Sequence, residues 1–232
     1  TRQFEFGDLS LTLDGIDLRD VRWQGGEAIR RIYPVFQDRN WTNRPFRIHT
    51  IEVEEGRGAV EITATGHGTF DASPLLWSVE AHIDEVSLRY QFSAQSTEPF
   101  LRNRLGLCVL HPMGASGCRC WVRHVDGTTT DSVFPEHISP HQPFVDIASI
   151  EHVLPGGARC NTEFSGDIFE MEDHRNWSDA SFKTYCTPIS DPFPVEVVPG
   201  AGIDQSVRLS FTRGTGCAGF ASDPVLIEVS SE

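Results

Sequence analysis

Apolar and polar residues alternate with a period of two along most of the chain. Trp77, Val79, Ala81 and Ile83 alternate with Ser78, Glu80, His82 and Asp84. Val86, Leu88, Tyr90, Phe92 and Ala94 then alternate with Ser87, Arg89, Gln91 and Ser93. Side chains of an extended strand point to opposite faces in turn, so each run predicts a strand with one buried face. Only Asp84-Glu85 separates the two runs, which reads as a tight hairpin. A second hairpin is expected around Gly56-Arg57-Gly58, entered by Ile51 and Val53 and left by Val60, Ile62 and Ala64. The pattern recurs at 9–13, 105–110, 118–124, 150–154, 168–172 and 207–211.

Helical signals are poor. The best stretch, 143–154, also alternates and ends at the turn-like Pro155-Gly156-Gly157. The 20 Gly and 14 Pro are spread at intervals, dividing the chain into many short strands. Roughly 14 to 17 strands fit at the usual spacing. That is too many for an immunoglobulin sandwich, and no internal repeat suggests a propeller. The expectation is all-β: one domain over 1–232, a large antiparallel two-sheet β-sandwich with little helix.

Composition narrows the class. A 39% hydrophobic chain of 232 residues with 5 Trp, 15 Phe and 3 Tyr can bury a sizeable core. No run approaches the ~18 apolar residues of a membrane-spanning helix. With 33 acidic against 19 basic residues, a formal charge of −14, neither nucleic acid nor an anionic membrane is an expected partner. Lys183 is the single lysine. The six cysteines, at 108, 118, 120, 160, 186 and 217, are expected as free thiols. Cys118-Arg-Cys120 is spaced too closely for a zinc knuckle and reads as two small buried side chains. No signal peptide is visible, so the expected compartment is the cytoplasm.

Polar chemistry concentrates in Phe169-Glu-Met-Glu-Asp-His-Arg-Asn-Trp-Ser-Asp-Ala-Ser-Phe-Lys-Thr-Tyr185. If 168–174 is a strand, Phe169, Met171 and Asp173 face one side and Glu170, Glu172 and His174 the other. Two carboxylates and an imidazole in one row suit general acid–base work. Glu170 or Glu172 would be the base, and His174 or His111 the acid. Arg175 or Lys183 would stabilise developing negative charge. In the loop expected to follow the strand, Asp179 would orient, Asn176 and Lys183 would bind, and Trp177 would offer a stacking surface. The competing readings are a solvated face paired with nearby arginines, or a row that locks a neighbouring domain in place.

Other signals are weaker. His111-Pro112 closes the apolar run 105–110, so its ring is expected to project from a sheet end into a cleft. His137 and His141 are four apart, but Pro140 and Pro143 deny them the helix that would align them on a metal. Asp38-Arg39-Asn40-Trp41 is a polar-aromatic loop that either binds a ligand or caps strands. There is no nucleophile elbow, phosphate loop, dinucleotide fingerprint or His-Glu-x-x-His, and no cofactor is expected.

The segment Phe169 to Cys186 resembles a signature of the D-apionate lactonase family. Asn103-Arg-Leu-Gly-Leu-Cys-Val-Leu-His-Pro112, Pro143-Phe-Val-Asp146 and Asp38-Arg39-Asn40-Trp41 resemble further blocks, in the family's order along most of the chain. The resemblance implies a sugar-acid lactonase that opens D-apionolactone to D-apionate, with this chain as an N-terminal β-domain ahead of a TIM-barrel-like domain. It carries over no residue roles. The expected sandwich is then of the supersandwich, galactose-mutarotase-like kind. The alternatives are a non-catalytic carbohydrate-binding or docking module, and a mutarotase-like sugar epimerase.

Overall fold

The computed structural model describes residues 1–70 and 72–214. Cys217 lies outside them; the five other cysteines are free thiols. The described residues form seventeen strands joined by tight turns and three short 3-10 turns. A first meander holds β1 (Arg2–Phe6), β2 (Leu9–Asp14), β3 (Asp17–Trp23) and β4 (Gly26–Asp38). A second holds β5 (Phe46–Glu55), β6 (Ala59–Phe70), β7 (Ser73–Asp84) and β8 (Ser87–Ser96). The long β9 (Phe100–Pro112) returns beside β4. Then come β10 (Arg119–His124), β11 (Thr129–Val133), β12 (Phe144–Val153), β13 (Arg159–Ser165) and β14 (Phe169–Asp173). β15 (Ser181–Cys186), β16 (Val195–Val197) and β17 (Ile203–Thr212) complete the fold.

Every pairing is antiparallel, and together they form one curled sheet folded into two layers. One layer runs β1–β2–β3–β4–β9–β15–β14–β12, with β10 and β11 beyond. The other runs β5–β6–β7–β8–β17–β13. β12 joins them, because Phe144 and Ile147 pair with β14 while Ser149–Val153 pair with β13.

The alternation that predicted β7 and β8 is the alternation of burial. Trp77, Val79, Ala81 and Ile83 face inward and meet Leu105, Leu107 and Val109 of β9 in one core. Phe36 of β4 meets Phe92 of β8 edge to face at 5.7 Å, and the Tyr90 hydroxyl donates to the Ile16 carbonyl at 2.8 Å, stitching the layers together. Gln205 of β17 reaches across to accept from the Leu107 N–H at 2.7 Å. It passes over Gly106, where a Cβ would stand 2.2 Å from its Oε1, so that position has no room for a side chain.

The segment 143–154 is strand, as its alternation favoured over its helical spacing. The 181–186 segment, expected as loop, is instead β15. It is buried on both faces, so it shows no amphipathic alternation, and Lys183 gave it a loop-like look.

Candidate functional site

β4, β9, β15 and β14 lie side by side in the first layer, and their outward faces carry the polar cluster. The register sets each row. Glu172 lies opposite Lys183, which lies opposite Leu110, which lies opposite Arg31. One step along, Glu170, Tyr185, Cys108 and Tyr33 form the second row.

The expected split of β14 is present. Phe169 and Met171 are in the core, while Glu170 and Glu172 lie on the opposite face. The strand stops at Asp173, and His174 opens a 3-10 turn through Trp177 rather than extending the strand. The turn still returns the His174 ring to the Glu172 side, with Nε2 3.8 Å from Glu172 Oε1. On its other side, His174 Nδ1 lies 3.5 Å from Asp179, whose carboxylate accepts from the Ser181 hydroxyl at 2.8 Å. Lys183 Nζ is 3.2 Å from Glu172. Asp179, His174, Glu172 and Lys183 therefore form a continuous line of ionisable groups. Burial and the Lys183 charge hold the His174 imidazole below its ordinary value, against the pull of Glu172 and Asp179. That direction favours the neutral ring, the form able to accept a proton.

Glu170 is committed to structure. Only 3% exposed, it accepts from the Tyr185 hydroxyl at 2.5 Å and from the Ile189 N–H at 2.7 Å, tying down the loop after β15. Burial and this bond to Glu170 push the Tyr185 phenol up. Arg175 is equally committed. It binds Asp173 through two nitrogens at 2.6 and 2.8 Å and donates to the carbonyls of Pro135, Glu136 and His137. Asn176 donates to the carbonyls of Ser139 and Asp173. These two expected ligand-binding residues instead pin the 135–141 loop. Trp177 is 73% exposed on the same turn, open to solvent.

His111 does not project into a cleft. It lies in the core, with Phe134 at 5.5 Å and His152 at 5.8 Å between ring centroids. Strand parity explains the difference: His111 shares the inward face of Leu105, Leu107 and Val109, and Leu110 takes the outward one. Burial holds the His111 ring well below its ordinary value. Among the described residues no three His, Cys, Asp or Glu side chains are placed to hold one metal ion.

The outward face also holds residues that sequence reasoning passed over. The Arg104 guanidinium lies 3.6 Å from the Tyr185 ring centroid and 5.2 Å from that of Trp41. Trp41 is held there because Asp38 Oδ1 accepts from the Asn40 and Thr42 N–H groups at 2.8 and 3.0 Å, and its ring meets Phe193 at 5.1 Å. The Asp38–Trp41 loop thus both caps a strand and faces the cluster. A detectable signal was the arginine two residues before Gly106 in a strand otherwise buried on both faces, where a charge needs a specific partner.

The curled two-layer antiparallel sandwich is a galactose-mutarotase-like fold. One such protein from Lactobacillus casei superposes with a TM-score of 0.55 at 11% identity, covering 91% of this chain and 99% of that one. An α-galactosidase from Geobacillus stearothermophilus gives 0.56 at 12% identity, covering 92% of this chain but 40% of the other. At such identities the likeness is one of fold. The family is set by sequence: the model of the D-apionate lactonase N-terminal domain matches residues 1–214, and the chain belongs to that family. A D-apionate lactonase from Brucella anthropi is 35% identical over 97% of this chain, which spans 38% of that relative's length.

Proposed function

We propose that this domain belongs to an enzyme that hydrolyses D-apionolactone to D-apionate, and that the outward face of β14 and β15 carries the chemistry. The observation that carries the reading is the 35% identity to a D-apionate lactonase along nearly the whole chain. Lactone opening requires a water activated beside the carbonyl and positive charge where the oxyanion develops. His174 Nδ1 lies 3.5 Å from Asp179, and with the proton on that nitrogen the Nε2 lone pair faces the Glu172 carboxylate 3.8 Å away. A water there donates to both, and one of them takes its proton as it attacks. Lys183, paired with Glu172, stabilises the oxyanion and returns a proton to the leaving ring oxygen. Glu170, Arg175 and Asn176 position the loops around the face, and Trp177 offers an exposed surface to the sugar ring. The substrate is a neutral sugar lactone; a following TIM-barrel-like domain and a cytoplasmic setting belong to the same proposal.

A docking role has one observation in its favour, the 38% share of the relative's length that the chain spans. In that reading, Glu172 and Lys183 contact another part of the enzyme. Acid release from D-apionolactone by the intact protein, followed at constant pH, separates the two. Hydrolysis lowered about 10²-fold in Lys183→Met supports chemistry on this face. Hydrolysis that is unchanged in a folded Lys183→Met places the chemistry elsewhere, and no hydrolysis by the wild type overturns the reaction itself.

A further inference from the structure

Arg104 is a buried cation of this face that lacks an anion. It is 5% exposed, and its Nε is buried without a hydrogen-bond partner. Among the described residues no carboxylate forms an ion pair with it; Arg102 Nε is likewise buried without a partner, while the other cations nearby have carboxylates. Lys183 has Glu172, Arg31 has Asp17 at 2.6 Å, and Arg175 has Asp173. Arg102, two residues earlier on β9, donates to the Thr187 hydroxyl at 2.8 Å, which in turn donates to Asp167. Desolvating a guanidinium without a counter-charge is unfavourable, and stacking on ring faces recovers only part of the loss. Seated over the Tyr185 ring, Arg104 offers the planar, two-pronged donor group that matches a carboxylate. Lys183 lies 5.8 Å from the same Tyr185 ring, so two cations share one aromatic platform in a chain of net charge −14. The neighbourhood opens to solvent at Trp41, which is 43% exposed.

We propose that Arg104, held between Tyr185 and Trp41, is a carboxylate-binding residue, so that this face holds an open-chain sugar acid more tightly than a neutral sugar or lactone. Placing that carboxylate in the lactonase product rests on the reaction proposed above; the anion site itself does not. On that reading the enzyme is inhibited by its own product, because the anion created by ring opening meets a cation the neutral substrate leaves unpaired.

Calorimetric titration of the intact protein with D-apionate, D-gluconate and neutral D-apiose tests the site. D-apionate should bind at least about tenfold more tightly than D-apiose, and Arg104→Gln should remove that advantage while leaving D-apiose binding unchanged. Arg104→Lys, which keeps the charge without the planar fork, should recover part of it and serves as the folded control if Arg104→Gln fails to fold. Arg104→Gln or Arg104→Lys binding D-apionate as tightly as wild type, with an unchanged melt, would overturn the proposal. Arg104-dependent binding of D-apionate or D-gluconate without lactone turnover keeps the anion site and sinks the reaction. Normal turnover with product inhibition indifferent to Arg104→Gln does the reverse.

Discussion

The two faces of β14 and β15 use the same residue types to opposite ends. Inward, Asp173 is buried and accepts from the Ser139 N–H and from Arg175, while His111 meets Thr184 through Nε2 at 3.0 Å and keeps a buried Nδ1 without a partner. Outward, Glu172 lies 3.2 Å from Lys183 and 3.8 Å from His174, with Glu172 and His174 only partly buried, and Arg104 lacks an anion. A closed network such as Asp173–Arg175 has no valence left for a ligand. A group able to act needs both open bonding capacity and access to a ligand, and the unpartnered nitrogens of His111 and His152 have only the first. Charge density alone did not separate the two, since Arg175 and Lys183 stand eight positions apart in one polar segment.

The sharpest way to break this contrast is on the closed side. Asp173→Ala removes the partner of Arg175 and the acceptor of the Ser139 N–H, so it should destabilise the domain by about 3–5 kcal/mol. Urea denaturation reads this as a lower midpoint at constant slope. A shift below ~1 kcal/mol would mean that the network is dispensable.

The buried imidazoles come next. Burial pushes His152 down to about 4 and His111 well below its ordinary value, so in the folded domain both rings stay neutral at pH 7. The unfolded chain takes up protons near pH 6.5 and the folded one does not. These rings therefore cost nothing above about pH 6.5 and lower stability progressively as pH falls toward 4, by about 3 kcal/mol for His152. Melts from pH 8 to 4 should show a plateau and then a decline, shallower in His152→Phe. A decline equally steep in that variant would assign it to other groups.

On the open side, the lowered His174 value predicts an acid limb in kcat/KM below pH 6.5, lost as the imidazole protonates. Lys183→Met should move that limb upward, because the ammonium helps hold the ring neutral. A limb that stays in place would exclude His174 as its source. The smallest effect is expected at Trp177→Ala: stability within about 0.5 kcal/mol of wild type, as for an exposed side chain, with a KM raised a few-fold. A large loss of stability would mean that the ring is covered in the intact protein.

The amphipathic strands were legible from sequence because their alternation is the physical cause of their burial, as β6 to β8 show. β15 was not, since a strand buried on both faces carries no period. β9 is longer than the apolar run that revealed it, starting at Phe100 and including Arg102, Asn103 and Arg104, all buried. Polar residues there read as the end of a strand, although Arg102 and Arg104 belong to its polar face. The opposition of Glu172 to Phe169 and Met171 followed from the pleat. What lies across from Glu172 depends on the pairing of β14 with β15, and no single strand encodes that. The misplacement of His111 was avoidable, because parity counted from Leu105 puts it inside.

The proposed hydrolysis requires the outward face of β14 to act in catalysis and not merely to hold the fold or dock a neighbour. Turnover of D-apionolactone by Glu172→Gln, measured beside its thermal melt in the intact protein, tests this most directly. A loss of about 10²-fold or more in kcat with a melting temperature close to wild type is the predicted result. Activity that falls only in proportion to folded protein, or that does not fall at all, would contradict it.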